Sequence, residues 1–106
     1  MKKNFPPVEW VTLLTMEAVG MPMRRKGAVA FFSIVCVAVN MGRNGEPYTW
    51  AKLAQEYAGS CGSTQMAVWE SMRRMIRSMG WKETVGEALA WAVLEVDSFG
   101  KDRISV

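Results

Sequence analysis

The stretch Thr49–Met79, TWAKLAQEYAGSCGSTQMAVWESMRRMIRSM, decides how the rest of the chain is read. Thr49 has the hydroxyl that caps a helix start. Leu53, Ala54 and Tyr57 then give that helix one apolar face. The run Ala58-Gly59-Ser60-Cys61-Gly62-Ser63 interrupts it with two glycines and small polar side chains. From Thr64 an apolar stripe resumes at Val68, Met72, Met75 and Met79, with Ala67 and Ser71 beside it. Ala54 is small enough to let the two helices cross closely, and a glycine-rich turn sets a steep angle between them. This is the pattern of a helix-turn-helix, with a recognition helix at about 64–79 offered to a major groove. A plain helical hairpin meets the same spacing.

Composition narrows what surrounds this unit. At 106 residues the chain fits one domain, 1–106, large enough to fold on a single core. Half the residues are hydrophobic, with five Trp and nine Met, which is a globular composition. The net charge of +3 permits a nucleic-acid partner without demanding one. Cys36 falls in an apolar helix and Cys61 in the turn; with no spacing motif they read as reduced, unpaired thiols of a cytoplasmic protein. The chain has no histidine, so the commonest general base and metal ligand is missing. The expectation is a protein that is not an enzyme and uses no cofactor and no metal.

Lys2 and Lys3 have no apolar run behind them, which argues against a signal peptide. Pro6 and Pro7 suit the first turn of a helix from about Val8 to Val19, with Val11, Leu14 and Ala18 on its apolar face and Trp10 and Leu13 near the edges. Gly20-Met21-Pro22 ends it. Three adjacent cations, Arg24, Arg25 and Lys26, open a second helix that extends to about Asn40. Cations at a helix N-terminus oppose the macrodipole, which suggests another reason for their presence. From Ala28 to Val39 only Ser33 is polar. That run is too short for a bilayer, which needs about 20 residues, and an all-round apolar helix belongs at the centre of a bundle. Phe31, Phe32, Ile34, Val35 and Val39 are its core candidates. Asn40–Tyr48 is a loop, Gly80 closes the long helix, and Trp81 folds back on the core. A last helix, about Glu83–Asp97, places Val85, Leu89, Ala92 and Val96 on one face, with Val93 beside them and Glu83, Glu87 and Glu95 solvated. The ends, about 1–6 and 98–106, read as flexible. The whole is an all-α compact bundle of about five to six helices that contains the helix-turn-helix.

Gly20-Met21-Pro22, then Lys26-Gly27 and an apolar helix, resembles the opening of the C-terminal DNA-binding effector domain of the sporulation initiation regulator. That family comprises response-regulator transcription factors of spore-forming bacteria. Leu53-Ala54-Gln55-Glu56-Tyr57 is similar to a segment of the family, and Ala67-Val68 and Ser71-Met72 match the small-aliphatic pairs of its recognition helix. The likeness covers roughly Val8–Gly80, and GMPMRRKG is its most distinctive part. It implies an all-helical domain and sequence-specific binding of double-stranded DNA in transcription regulation. The chain departs from the family where that recognition helix carries acidic and basic residues: here stand Gln65, Met66, Trp69 and Glu70. The region after Gly80 is shorter, and no acidic phosphorylation pocket of a receiver domain is found in the 106 residues.

On this reading the base-facing residues are Ser63, Gln65, Met66 and Trp69. Gln65 has the chemistry to read adenine, while Met66 or Trp69 can pack on a thymine methyl. The phosphate-facing residues are Arg24, Arg25, Lys26, Arg73 and Arg77. The alternative is a protein-interaction module on the same fold, with Met66 and Trp69 binding a protein partner or a second copy in a homodimer, since Met and Trp are enriched at interfaces. In a third reading the two side chains pack on a neighbouring helix. No membrane partner is expected.

Overall fold

The computed structural model describes residues 7–104, with side-chain surroundings as far as Phe99. Five α-helices follow one another: α1 Val8–Ala18, α2 Lys26–Arg43, α3 Trp50–Ser60, α4 Gln65–Ser78 and α5 Val85–Ile104. Among the described residues there is no strand, and the fold is all-α.

α2 is the axis. It packs against each of the other four helices, while α3 touches α4, and α5 touches α1 and α4. Its sequence is rich in β-branched residues, which disfavour helix by crowding the preceding turn. Burial overrides that preference: Phe31, Ile34, Val35 and Val39 are all enclosed, together with Ala28, Ala30, Cys36 and Ala38. By length and composition α2 would also pass for a membrane span, and half of it is buried by its neighbours. Two expectations about it change. Phe32 is only half-buried, and the enclosed ring is Phe31. The outward stripe also holds Val29 and Val37, both exposed, so α2 is covered on most sides but not all. The helix begins at Lys26 with Arg25 as its extended cap residue, so Arg24 and Arg25 precede it; it ends at Arg43, shortening the expected loop.

α2 meets α4 backbone to backbone. A Cβ added at Gly27 would overlap the Ser71 carbonyl oxygen, with the Ser71 carbonyl carbon at 2.8 Å and Met75 Cβ at 3.0 Å. Only glycine fits there. The inner face of α4 then fills the space beside α2 with Val68, Met72, Met75 and Ile76, all buried.

α1 buries a different stripe from the expected one. Val8, Val11, Thr12 and Met16 face inward, whereas Leu14 and Ala18 are exposed. The stripe passes through a polar residue because the Thr12 hydroxyl donates to the Val8 carbonyl at 2.7 Å, so this buried hydroxyl is not left unmatched. α5 buries Val85, Leu89, Ala92 and Val96 as the spacing implies, with Ala88 as well. It continues beyond Asp97: residues 98–104 are helical, not a loose tail, because Phe99 carries the buried stripe on by three positions and packs against the core. The remaining expected loose ends, 1–6 and 105–106, lie outside the described residues. Trp81 folds back, meeting Trp91 edge to face with centroids 5.5 Å apart.

Candidate nucleic-acid interface

The α3–α4 unit is set by three local devices. The Thr49 hydroxyl accepts from the Lys52 N–H and the Thr64 hydroxyl from the Ala67 N–H, each at 3.1 Å, so both helices start where a threonine satisfies a free amide. Between them α3 runs on through Gly59 to Ser60, one turn further than composition suggests. Gly62 then takes φ +69°, and the Ser63 N–H donates back to the Ala58 carbonyl at 2.8 Å. This is a Schellman-type end, and a residue with a Cβ would be strained at that position. Leu53, Ala54 and Ala58 of α3 are buried against the neighbouring helices, with Tyr57 half-buried beside them.

What α4 leaves outward is polar except at Met66 and the small Ala67. Gln65, Arg73, Arg74 and Arg77 are exposed, and so is Met66, at 81 %. Gln65, Met66 and Trp69 share a shallow cleft with Ala51 of α3. Trp69 lines that cleft but is half-buried and packs against the core, so of the three it is the one held by the fold. Ser63 is exposed on a different flank: it lines a groove of about 460 Å³ with Arg24, Lys26, Cys61, Ala67 and Ser71. The turn residue thus joins two of the cations, not the Gln65–Met66 cleft. Arg25 is exposed at the cap of α2. Around the α4 axis Ala67 and Ser71 stand roughly 120–160° from Arg73 at about 100° per residue. The cations therefore form two groups, Arg24 and Lys26 beside Ala67 and Ser71, and Arg73, Arg74 and Arg77 along the C-terminal half of α4, with Arg73 and Arg77 toward the other flank and Arg74 roughly 20° from Ala67.

Glu70 organises the second group. It is the one carboxylate on α4, and Arg73 donates to both of its oxygens, Nε to Oε2 at 2.9 Å and Nη2 to Oε1 at 2.8 Å. Arg74 Nε lies 3.4 Å from the same Oε1. These hydrogen bonds, Arg73's first, hold the Glu70 carboxyl below the usual carboxylate range. Glu70, Arg74 and Ala51 were missing from the residues expected to form the site. The first two were legible as a carboxylate three and four positions before arginines, a spacing that pairs across one helical turn.

Among the described residues no three His, Cys, Asp or Glu side chains gather as metal ligands. Cys36 is buried and Cys61 exposed, both as free thiols, and burial pushes the Cys36 thiol up from its ordinary pKa. No protein-family model, curated protein or solved structure matches the chain.

Proposed function

We propose that this chain binds double-stranded DNA as a sequence-specific transcriptional regulator domain, with α4 as the helix that enters the major groove. The observation that carries the reading is the outward face of α4: a solvated face bearing Gln65, Met66 and arginines, with Arg24 and Lys26 across a groove on its flank. A major groove about 12 Å wide admits one helix, and its two phosphate walls then face the flanks of that helix. Cations on both flanks suit those walls, and phosphate contacts fix the register while carrying no sequence information. The resemblance to the sporulation initiation effector extends the proposal to a cytoplasmic regulator of that type, acting without cofactor or catalysis.

A second reading has one observation in its favour. Among the described residues Met66 is the most exposed of the large apolar side chains, and it adjoins the half-buried Trp69, a combination found at protein interfaces. One titration separates the two. Binding of the whole chain to a randomised duplex is measured across a salt series. The DNA reading expects log affinity to fall linearly with log salt, and Arg24→Gln with Lys26→Gln to flatten the slope by about 1.8, at about 0.9 per phosphate contact. Absence of salt-sensitive binding at low ionic strength sinks the DNA reading and leaves the Met66–Trp69 surface as a protein contact.

A further inference from the structure

Arg73 was expected to serve as one of several phosphate contacts, and its geometry is more particular than that role requires. A guanidinium carries five N–H donors in a rigid plane. Pairing with Glu70 occupies the Nε–H and one Nη2–H, in the side-on mode, with Nε–Oε2 at 2.9 Å and Nη2–Oε1 at 2.8 Å. The end-on edge, formed by Nη1 and the second hydrogen of Nη2, still presents two parallel donors. The pair is solvated, with the Arg73 side chain 53 % exposed. Arg73 lies seven positions after Met66, on the same outward stripe of α4, at the spacing of two turns.

A phosphate contact needs a positive charge within reach, and a lysine would serve as a point charge. Two parallel donors held in a fixed plane match a different acceptor pair, the O6 and N7 of guanine in the major groove. Fixing that plane beforehand also reduces the rotamer freedom lost on binding. Glu70 is ionised at neutral pH, as any solvated carboxyl is, and the hydrogen bonds from Arg73 lower its pKa further, so the brace is in force where binding would occur.

We propose that Arg73 reads a guanine through its end-on edge and that Glu70 is the positioning residue that sets the guanidinium plane for it. This rests on the DNA-binding reading and moves Arg73 from the phosphate group to the base-reading group. Glu70, which lacks the bidentate donors to read guanine itself, acts through Arg73. A plain helix-supporting pair three residues apart would have no effect on base preference.

The test uses the whole chain. A preferred duplex is selected from a randomised library, and each of its guanines is replaced in turn by 7-deazaguanine, which lacks the N7 acceptor. One replacement should weaken wild-type binding by about 5- to 150-fold. In Arg73→Lys that penalty should vanish while the salt slope stays unchanged, because the charge is kept. In Glu70→Gln the same penalty should shrink while affinity for random duplex does not fall, because a negative charge has been removed from a surface that meets a polyanion. The helical circular dichroism of both variants should match wild type. A selected site without a sensitive guanine overturns the assignment. So does an Arg73→Lys variant that keeps the penalty, or one that loses affinity equally for every sequence. In those cases salt-sensitive binding persists and the DNA reading stands. Absence of any salt-sensitive wild-type binding overturns both.

Discussion

The two faces of α4 have the same backbone, the same threonine cap and the same glycine stop, yet they answer to different constraints. The inner face, Val68, Met72, Met75 and Ile76, is between 0 % and 4 % exposed and abuts α2. The outer face carries Met66 at 81 % exposure with Arg73, Arg74 and Arg77 in solvent. Inside, volume decides: close-packed interiors feel the loss of a single methylene. Outside, charge and donor geometry decide, and volume is nearly free. On this one helix, substitution should therefore separate folding from binding, the inner face responding chiefly in stability and the outer face chiefly in binding.

The largest expected effect comes from breaking the inner face. Met72 is fully buried, and Met72→Ala should cost about 2–5 kcal/mol, through lost transfer energy and the cavity left behind. Met66→Ala, six positions earlier in the same helix, should stay within about 0.5 kcal/mol. Urea denaturation of the two variants gives the comparison directly. Equal midpoint shifts would mean that the two faces are not distinguished by packing as described.

Next comes the surface that receives the inner face. Gly27→Ala adds a methyl where the Ser71 carbonyl already stands. Overpacking of this kind costs about 1–3 kcal/mol, occasionally more. The obstruction is backbone, so Ser71→Gly in the same chain should not restore the midpoint. Recovery in the double variant would show that the Ser71 side chain, not its carbonyl, limits the approach of α2 to α4.

These sites also mark what could be read from the sequence. The starts of α3 and α4 at Thr49 and Thr64 were legible, because a hydroxyl before an apolar-periodic run has one local use. The stops at Gly20 and Gly80 were legible for a similar reason. The capping box that opens α5 was equally local: the Thr84 N–H donates to Glu87 at 2.9 Å and the Glu87 N–H to the Thr84 hydroxyl at 3.1 Å, although Glu87 had been read only as a solvated position. What depended on a neighbouring helix was not legible. Phe31 and Phe32 are chemically identical and differ by one step around α2; only the placement of the helices packed on α2 makes the first the enclosed ring. On α1 the buried stripe runs through Thr12, which a hydrophobicity pattern skips and an internal hydrogen bond permits. Trp69 was assigned to the outer face, but it sits at the boundary where α4 turns toward the core. In the candidate site the types of residue were readable, and their grouping was not. Ser63 went to the Arg24–Lys26 flank, and Arg73 to Glu70.

The smallest expected effect lies on the outer face, and its pH dependence identifies it. Glu70 has a folded-state pKa lowered chiefly by the hydrogen bond from Arg73. A carboxylate whose pKa is lower folded than unfolded binds fewer protons in the native state. Its contribution is therefore fully present above the unfolded value and is lost as pH falls through the folded one. The stabilisation from this pair should be constant from neutral pH down to the ordinary carboxylate range and fade below it. Both side chains reach solvent, Arg73 at 53 % and Glu70 at 37 % exposure, so salt should screen the effect. The comparison is wild type against Glu70→Gln, by denaturation midpoint, at pH 7 and pH 3 and at low and high salt. The midpoints should differ at pH 7 in low salt, with wild type the more stable, and should converge at pH 3 and in high salt. A carboxyl NMR titration of Glu70 should show a lowered midpoint that returns toward the ordinary value in Arg73→Gln. A difference that persists unchanged at pH 3 would assign the effect of residue 70 to packing, and the outer face of α4 would then share the constraint of the inner one.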